Sequence, residues 1–368
     1  MLQQPLCSIY AFTSGCAFLL AFLLLANPLR RNRTANRWLG LFLLALACAL
    51  SDQRDCQAEV YMHYPWIAAL QEITRLAMAP ALYLSVISFT VPGRRFVRRD
   101  LWHFLPFFLF IGFTLSLLLD VFEPAKSIGM FLFFAIKVQV VAYWIMSYLR
   151  LVRHEADIRL FTAAVETIDL RWLRYFLYGL AGMLLLWLND VFIHNPVITA
   201  GTPIGYLVGV IGVAYWSLRQ QEVYPFPPRE AAALADIITE QHRSTPRAPR
   251  LTPQQLASLK EQLIHLVERD KIFTDPDLDL PGLARRMSIT THELSYLLNE
   301  GFGQNFFQYM NAHRVAEARR LLLDPGHSHL NMLGIAFQSG FTSKTTFNTT
   351  FKKITGQSPS QFQKTGRA

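Results

Sequence analysis

The stretch GFTSKTTFNTTFKKITGQSP, Gly340 to Pro359, carries the punctuation of a short helix behind a tight turn. Gly340 supplies a positive-φ position at no steric cost, Ser343 is an N-cap, and Gly356 is a C-cap glycine with Pro359 shortly after it. Phe347 and Phe351 are four apart and share one face, which with Phe341 makes them core. The stretch is otherwise rich in Thr and Lys. Upstream, LNMLGIAFQSG is apolar at helical spacing, so residues 330 to 354 read as helix, turn at Ser339 to Phe341, and helix from Ser343.

Working back, the same layout occurs in LARRMSITTHELSYLLNEGFG, Leu283 to Gly303. Leu283, Ala284 and Met287 predict one amphipathic helix, Ser288 and Ile289 a turn, and Leu294, Leu297 and Leu298 the buried side of a second helix from about Thr290. The face opposite those leucines carries Thr291, His292, Ser295, Tyr296 and Asn299 and is expected to be exposed. His292-Glu293 is no zinc-protease motif, because the second His position holds Tyr296. A helix over about 306–323, with Arg314, Arg319 and Arg320 on it, joins the two units. Two helix-turn-helix units on one rigid connector can enter successive major grooves about 34 Å apart. From Leu280 onward Arg285, Arg286, Lys344, Lys352, Lys353 and Lys364 outnumber the nearby acids, an excess that suits phosphate contact.

Gly340-Phe341, Ser343, Phe347, Phe351-Lys352-Lys353, Gly356, Ser358-Pro359 and Phe362 resemble the signature of the AraC/XylS family of bacterial transcription regulators. The spacing of Leu283-Ala284, Leu294-Ser295, Gly303, Arg314 and Ala318 is similar to the first half of the same domain. The resemblance covers about residues 255–364, under a third of the chain. It implies a seven-helix DNA-binding domain with recognition helices at about 290–301 and 343–354. It further implies base contacts from His292, Ser295 and Tyr296 in the first and Lys344, Thr345 and Thr349 in the second. Two positions depart from the family: Thr349 stands where Arg is common, and Gln363 replaces the usual terminal Arg. The first departure puts a short hydroxyl in place of a long cation, which weakens the second unit's readout or moves it to Lys344. The first unit has no Arg placed for the bidentate contact to guanine.

The rest of the chain differs in kind. Of its 368 residues 52% are apolar and only 17% charged, with a net charge of +9, and the apolar excess is concentrated before residue 218. Seven apolar runs, roughly 6–29, 37–51, 66–90, 101–119, 128–149, 170–192 and 203–218, mostly approach the ~20 residues that a helix needs to cross a bilayer. The first loop holds Arg30, Arg31, Arg33 and Arg37, the third Arg94, Arg95, Arg98 and Arg99, and the fifth Arg150, Arg153, Arg159, Arg171 and Arg174. The even loops are acidic. Since short cytoplasmic loops carry the Lys and Arg, the N-terminus is expected outside and everything after Leu218 in the cytoplasm of a bacterial inner-membrane protein. No basic region precedes the first run, so it reads as a retained span and not a signal peptide.

Within the spans, Glu72 and Arg75 are three apart on one helical face. They form either the polar lining of a signal-binding pocket or a structural ion pair. Lys137, Gln139, Asn189 and Asp190 read as structural or interfacial. Cys7 and Cys56 both fall near the outer face, where a disulfide is permitted, although small apolar packing residues are the simpler reading for all four cysteines, Cys16 and Cys48 included. Residues 219–251 form a linker broken by Pro225, Pro227, Pro228, Pro246 and Pro249, with a short helix around Ala231 to Gln241. Fully extended, such a linker reaches on the order of 100 Å. A helix starts at Thr252-Pro253, and its Leu256, Leu259, Leu263 and Leu266 are either core or a short dimerising seam.

The expected molecule is all-α: an N-terminal seven-transmembrane helix bundle over 1–218, a linker over 219–251, and a cytoplasmic double helix-turn-helix DNA-binding domain over 252–368. No P-loop, activated nucleophile or metal-ligand cluster stands out, so no enzyme activity and no cofactor are expected. The expected partners are promoter DNA, the lipid bilayer, a second copy in a homodimer, and a small-molecule or membrane signal. The competing readings are a transporter with a regulatory helical module and a receptor whose terminal domain binds a protein.

Overall fold

A computed structural model describes residues 3–28, 31–51, 62–94, 96–118, 126–163, 170–188, 195–223, 226–241, 250–327 and 329–367. Cys56, Asn189 and Asp190 lie outside the described residues. Among those described, the chain is helical, with one isolated β-bridge, Thr162 to Asp279. It divides into two compact units, Met1–Val152 with Leu170–Val223, and Arg153–Asp169 with Tyr224–Ala368.

The first unit contains α1 (Gln3–Ala26), α2 (Arg33–Ser51), α3 (Pro65–Thr90), α4 (Leu105–Leu118), most of α5 (Lys126–Ile158), α6 (Arg171–Leu188) and α7 (Pro196–Arg219). Five of these, α1, α2, α3, α5 and α7, are long and apolar enough to cross a membrane by length and composition. The fourth apolar run is shorter than expected as an α-helix. Its first residues, Arg98–Phe104, form a 3-10 turn, fixed where the Asp100 carboxylate accepts the Val97 N–H at 2.9 Å. In contrast, α5 runs well past the expected end at residue 149. Its last turns carry good helix formers and bury Leu151, His154, Asp157 and Ile158.

The helices of this unit approach closely and are joined by side-chain bonds across them. A Cβ added to Gly40 of α2 would lie 2.9 Å from Leu25 of α1, so this contact requires a glycine. Ser14 donates to the Ala47 carbonyl at 2.9 Å, Ser85 to Ala35 at 3.0 Å, and Trp144 to Leu177 at 2.7 Å. Gln139 is likewise structural, donating to the Leu76 carbonyl at 3.3 Å. Outward, Phe12, Leu19, Phe22, Leu109, Val138 and Val208 are exposed. Cys7 is disulfide-bonded, which replaces the packing reading for that residue, whereas Cys16 and Cys48 are free.

The second unit contains α8 (Pro228–Gln241), α9 (Pro253–Glu268), α10 (Leu280–Arg286), α11 (Thr291–Tyr296), α12 (Phe306–Leu323), α13 (Met332–Gln338), α14 (Lys344–Thr355) and α15 (Pro359–Arg367). Helix α9 starts at Thr252-Pro253 as expected, and a capping box closes there, Thr252 accepting from Gln255 N–H. It buries Leu263 and Val267, with Leu256, Leu259 and Leu266 part-buried, so the leucines serve the core. Helix α12 spans the predicted connector and packs against α13, α14 and α15. The core of the C-terminal half gathers Val315, Ala318, Leu321, Leu322, Ile335, Ala336, Phe341, Phe347 and Phe351.

Candidate nucleic-acid interface

The two helix-turn-helix units repeat down to single hydrogen bonds. Asp279 caps α10 by accepting from Gly282 at 2.7 Å, and Asn331 caps α13 by accepting from Gly334 at 2.8 Å. Each first helix ends in the same pair of backbone bonds. Ser288 N–H donates to the Arg285 carbonyl and Ile289 N–H to Ala284, as Gly340 N–H does to Phe337 and Phe341 N–H to Ala336. These bonds satisfy the terminal carbonyls of the helix while the chain turns through one left-handed residue. That residue is Ser288 at φ 57° in the first unit and Gly340 at φ 88° in the second.

The second unit leaves no room for a side chain at its turn. A Cβ on Gly340 would lie 2.4 Å from the Phe273 carbonyl oxygen and 2.8 Å from Thr274 Cα. The same carbonyl is held by Arg314, whose Nε donates to it at 2.7 Å while an Nη donates to the Asp275 carbonyl at 2.9 Å. Arg314 is almost fully buried, and desolvation brings its guanidinium down to about 10. Despite lying on the connector, it is an internal strut between the α9–α10 connection and the second turn, and its burial removes it from the cationic surface.

Helix α14 presents an open polar face. Ser343 is its N-cap, accepting Thr346 N–H at 3.1 Å, and Gly356 at φ 77° ends it. Phe347, Thr350 and Phe351 point inward, with Phe rings meeting edge-on or tilted in sequence from Phe341 to Phe362 at 5.3, 5.6 and 5.5 Å between centroids. Lys344, Thr345 and Thr349 are exposed, and so are Asn348 and Lys352 on the same face. The sequence reading passed over Asn348, although its spacing from Lys344 and Thr345 would have placed it there.

Helix α11 is different. Its capping box is formed, with Thr290 and Glu293 exchanging bonds at 2.7 and 3.2 Å, and Leu294, Leu297 and Leu298 are fully buried. After Tyr296 the helix widens into a π turn, Leu297–Gly301. The expectation of an exposed face is corrected at two positions. Thr291 and Ser295 are each only 8% exposed, because helical spacing sets them on the same stripe as the buried Leu294 and Leu298; α8 also packs against α11. His292, Tyr296 and Asn299 are part-buried, and Asn299 donates to the Ser295 carbonyl at 2.7 Å. Burial lowers the His292 pKa, Arg250 lowers it further, and Glu240 and Asp236 oppose them.

The cations divide in the same way. Arg285 pairs with Glu230, Arg286 with Asp275 at 2.6 Å, and Lys271 and Arg320 with Glu317 at 3.0 and 2.8 Å. The Arg320 and Lys271 bonds hold the Glu317 carboxyl down at about 2. Lys344, Lys352, Lys353 and Lys364 are exposed and have no ion-pair partner among the described residues. The basic surface therefore belongs to the second unit.

The sequence of this segment has relatives. Residues 283–365 match a family described as a helix-turn-helix domain. This part of the chain is a helix-turn-helix domain of the AraC type. An uncharacterized HTH-type transcriptional regulator of Staphylococcus aureus is 32% identical over 31% of this chain and 18% of its own length. The HTH-type transcriptional regulator GlxA of Rhizobium meliloti is 28% identical over 28% of this chain and 31% of its own. The chain thus spans about a fifth of the first relative. A solved protein of unknown function from Listeria innocua shares 29% identity, covering 29% of this chain and 95% of that one at a TM-score of 0.26.

In the first unit of the molecule, Arg75 is part-buried on α3, and Glu72 lies three residues earlier on the same helix with its side chain outside the described set. No group of three or more His, Cys, Asp or Glu able to hold a metal occurs among the described residues.

Proposed function

We propose that this chain is a membrane-embedded transcription regulator that binds promoter DNA through its AraC-type domain. The observation that carries the reading is the open, cationic face of α14 on a repeated helix-turn-helix scaffold. Lys344, Thr345 and Thr349 would read base edges or phosphates from that face, and Asn348, whose amide matches the donor and acceptor of adenine, joins them. Ser343 serves the helix as a cap, leaving its N–H groups beside the first turn for a phosphate. His292, Tyr296 and Asn299 would form the second reading surface once α11 is accessible.

Five apolar helices with exposed aliphatic and aromatic side chains, and arginines concentrated in alternate loops, support embedding with the N-terminus outside and the C-terminal domain in the cytoplasm. A disulfide at Cys7 suits an oxidising outer compartment. The bundle would sense a small-molecule or membrane signal, with Glu72 and Arg75 as the candidate sensors, and the chain would act as a homodimer.

The full chain in lipid discs should bind duplex DNA with an affinity that falls linearly in log salt, with a slope near 0.9 per phosphate neutralised. Absence of binding at low salt would remove the reading. Glu72→Gln should alter the transcriptional response; unaltered signalling with reduced stability would make the pair structural.

A further inference from the structure

Two segments from outside the matched domain fold onto its first helix-turn-helix. One is α8, whose apolar stripe of Ala231, Leu234, Ile237 and Ile238 is buried, and which packs against α11. Its charged edge meets the same unit, Glu230 pairing with Arg285 of α10 and Asp236 and Glu240 acting on His292. The other is the segment that follows α5. The Phe161 carbonyl accepts Leu280 N–H at 2.8 Å and the Arg159 carbonyl accepts Phe307 N–H at 3.2 Å. The Arg159 guanidinium lies 5.5 Å over the Phe307 ring, and Thr162 bridges to Asp279. Leu280 opens α10 and Phe307 lies in the first turn of α12, so this short segment spans the unit from its entrance to its exit. Phe226, just ahead of α8, packs edge-on against Phe161 at 6.0 Å and joins the two segments.

Widths decide the consequence. A helix with side chains is about 10–12 Å across, and the major groove is about 12 Å wide. It admits one helix, and α11 carries α8 packed against it, with Asp236 and Glu240 of α8 beside His292. Helix α14 has no such cover on its Lys344 and Thr349 face.

We propose that α8 and the 159–162 segment form a clamp that withholds the first helix-turn-helix from DNA while the second stays available. The proposal rests on the DNA-binding reading above. The 159–162 segment is the direct continuation of α5 and leads on to α6. The end of α5 from Arg153 lies in the same compact unit as α10 and α12, and the segment after it is tied to them by two backbone hydrogen bonds. A signal opens the clamp to the extent that it favours the arrangement of α5 found in the open state. Release adds the second reading surface and raises affinity for a site spanning two grooves.

The test uses the full chain in lipid discs and a pool of random-sequence 30-base-pair duplexes, with amide hydrogen exchange on the same samples. Leu234→Asp places a charge in the buried stripe and should tighten DNA binding about tenfold or more, the equivalent of 1.4 kcal/mol. Glu230→Lys, on the part-exposed edge of α8, should tighten it about threefold, in line with loss of one surface ion pair. Both should raise exchange over 291–299 and leave 344–355 unchanged. If Leu234→Asp also loses protection across α12 to α14, it has unfolded the domain, and Glu230→Lys then decides. Binding equal to wild type, with exchange over 291–299 raised, overturns the clamp and leaves DNA binding standing. No binding by wild type or either variant overturns both.

Discussion

The two helix-turn-helix units share caps, turn bonds and a buried apolar face, yet present opposite surfaces. In the first, the cations are committed to acidic partners and the reading helix is covered along one flank. In the second, the lysines stand in solvent and the reading helix is open. The difference arises outside the repeat. Helix α8 and the segment after α5 are drawn to the first unit because their apolar residues, Leu234, Ile237 and Phe161 among them, are buried there. A repeated fold can thus present one covered and one open face without any change in its own core.

The comparison can be broken most severely at the second turn. Gly340→Ala forces a Cβ against the Phe273 carbonyl in a left-handed residue, and should cost about 4 kcal/mol from strain and overpacking together, read as a lowered midpoint in thermal or denaturant unfolding. The first turn should respond in the opposite sense, as described below. Next in size, Arg314→Met leaves the Phe273 and Asp275 carbonyls without their donor and should cost about 3 kcal/mol in the same measurement.

Lys344→Ala removes an exposed cation from α14 and should weaken DNA binding by about 1.5 kcal/mol while lowering the salt slope by about 1, with no change in melting. Arg285→Ala in the first unit should not lower the slope, since Arg285 is engaged with Glu230. An equal loss for both would erase the distinction between the units. Ser288→Gly relieves a side chain held at φ 57° and should stabilise the domain by about 1 kcal/mol.

The smallest effect is one of pH. Burial lowers the His292 pKa below its ordinary value of 6.5, so the clamped state favours the neutral imidazole. Its contribution is complete above about pH 6.5 and fades as the pH falls through the lowered value. Arg250 reinforces this shift, and Asp236 and Glu240 moderate it. Protection factors over 291–299, corrected for the slower intrinsic exchange at lower pH, should therefore drop on acidification from pH 7.5 to 5.5, and His292→Gln should flatten the change.

Most of the fold was legible in the sequence because its signals are local. The N-caps at Thr252, Ser343 and Thr290, the leucines of α11 and the phenylalanines of α14 fix helices and their buried faces by spacing alone, and the connector begins and ends where the periodicity does. The exposure of Lys344, Thr345 and Thr349 on α14 was legible too, since an exposed face needs only the absence of neighbours. What periodicity does not reveal is which flank a distant segment will cover. Thr291 and Ser295 share the i, i+3, i+4, i+7 stripe of Leu294 and Leu298, and their short polar side chains hid that they belong to the buried face. Arg314 looked like a surface cation because its partners are two backbone carbonyls about forty positions earlier, at |i−j| of 41 and 39. The extension of α5 past residue 149 was hidden by its arginines, which read equally well as loop charge and as helix.

The proposed clamp leaves one helix-turn-helix free for DNA and withholds the other. Hydroxyl-radical footprinting of the full chain in lipid discs, on a duplex selected from the random pool, tests it most directly. The wild type should protect one segment for each protomer bound, and Leu234→Asp two segments about 34 Å apart for each. Two segments per protomer with the wild type, or the same pattern with both proteins, would contradict the clamp.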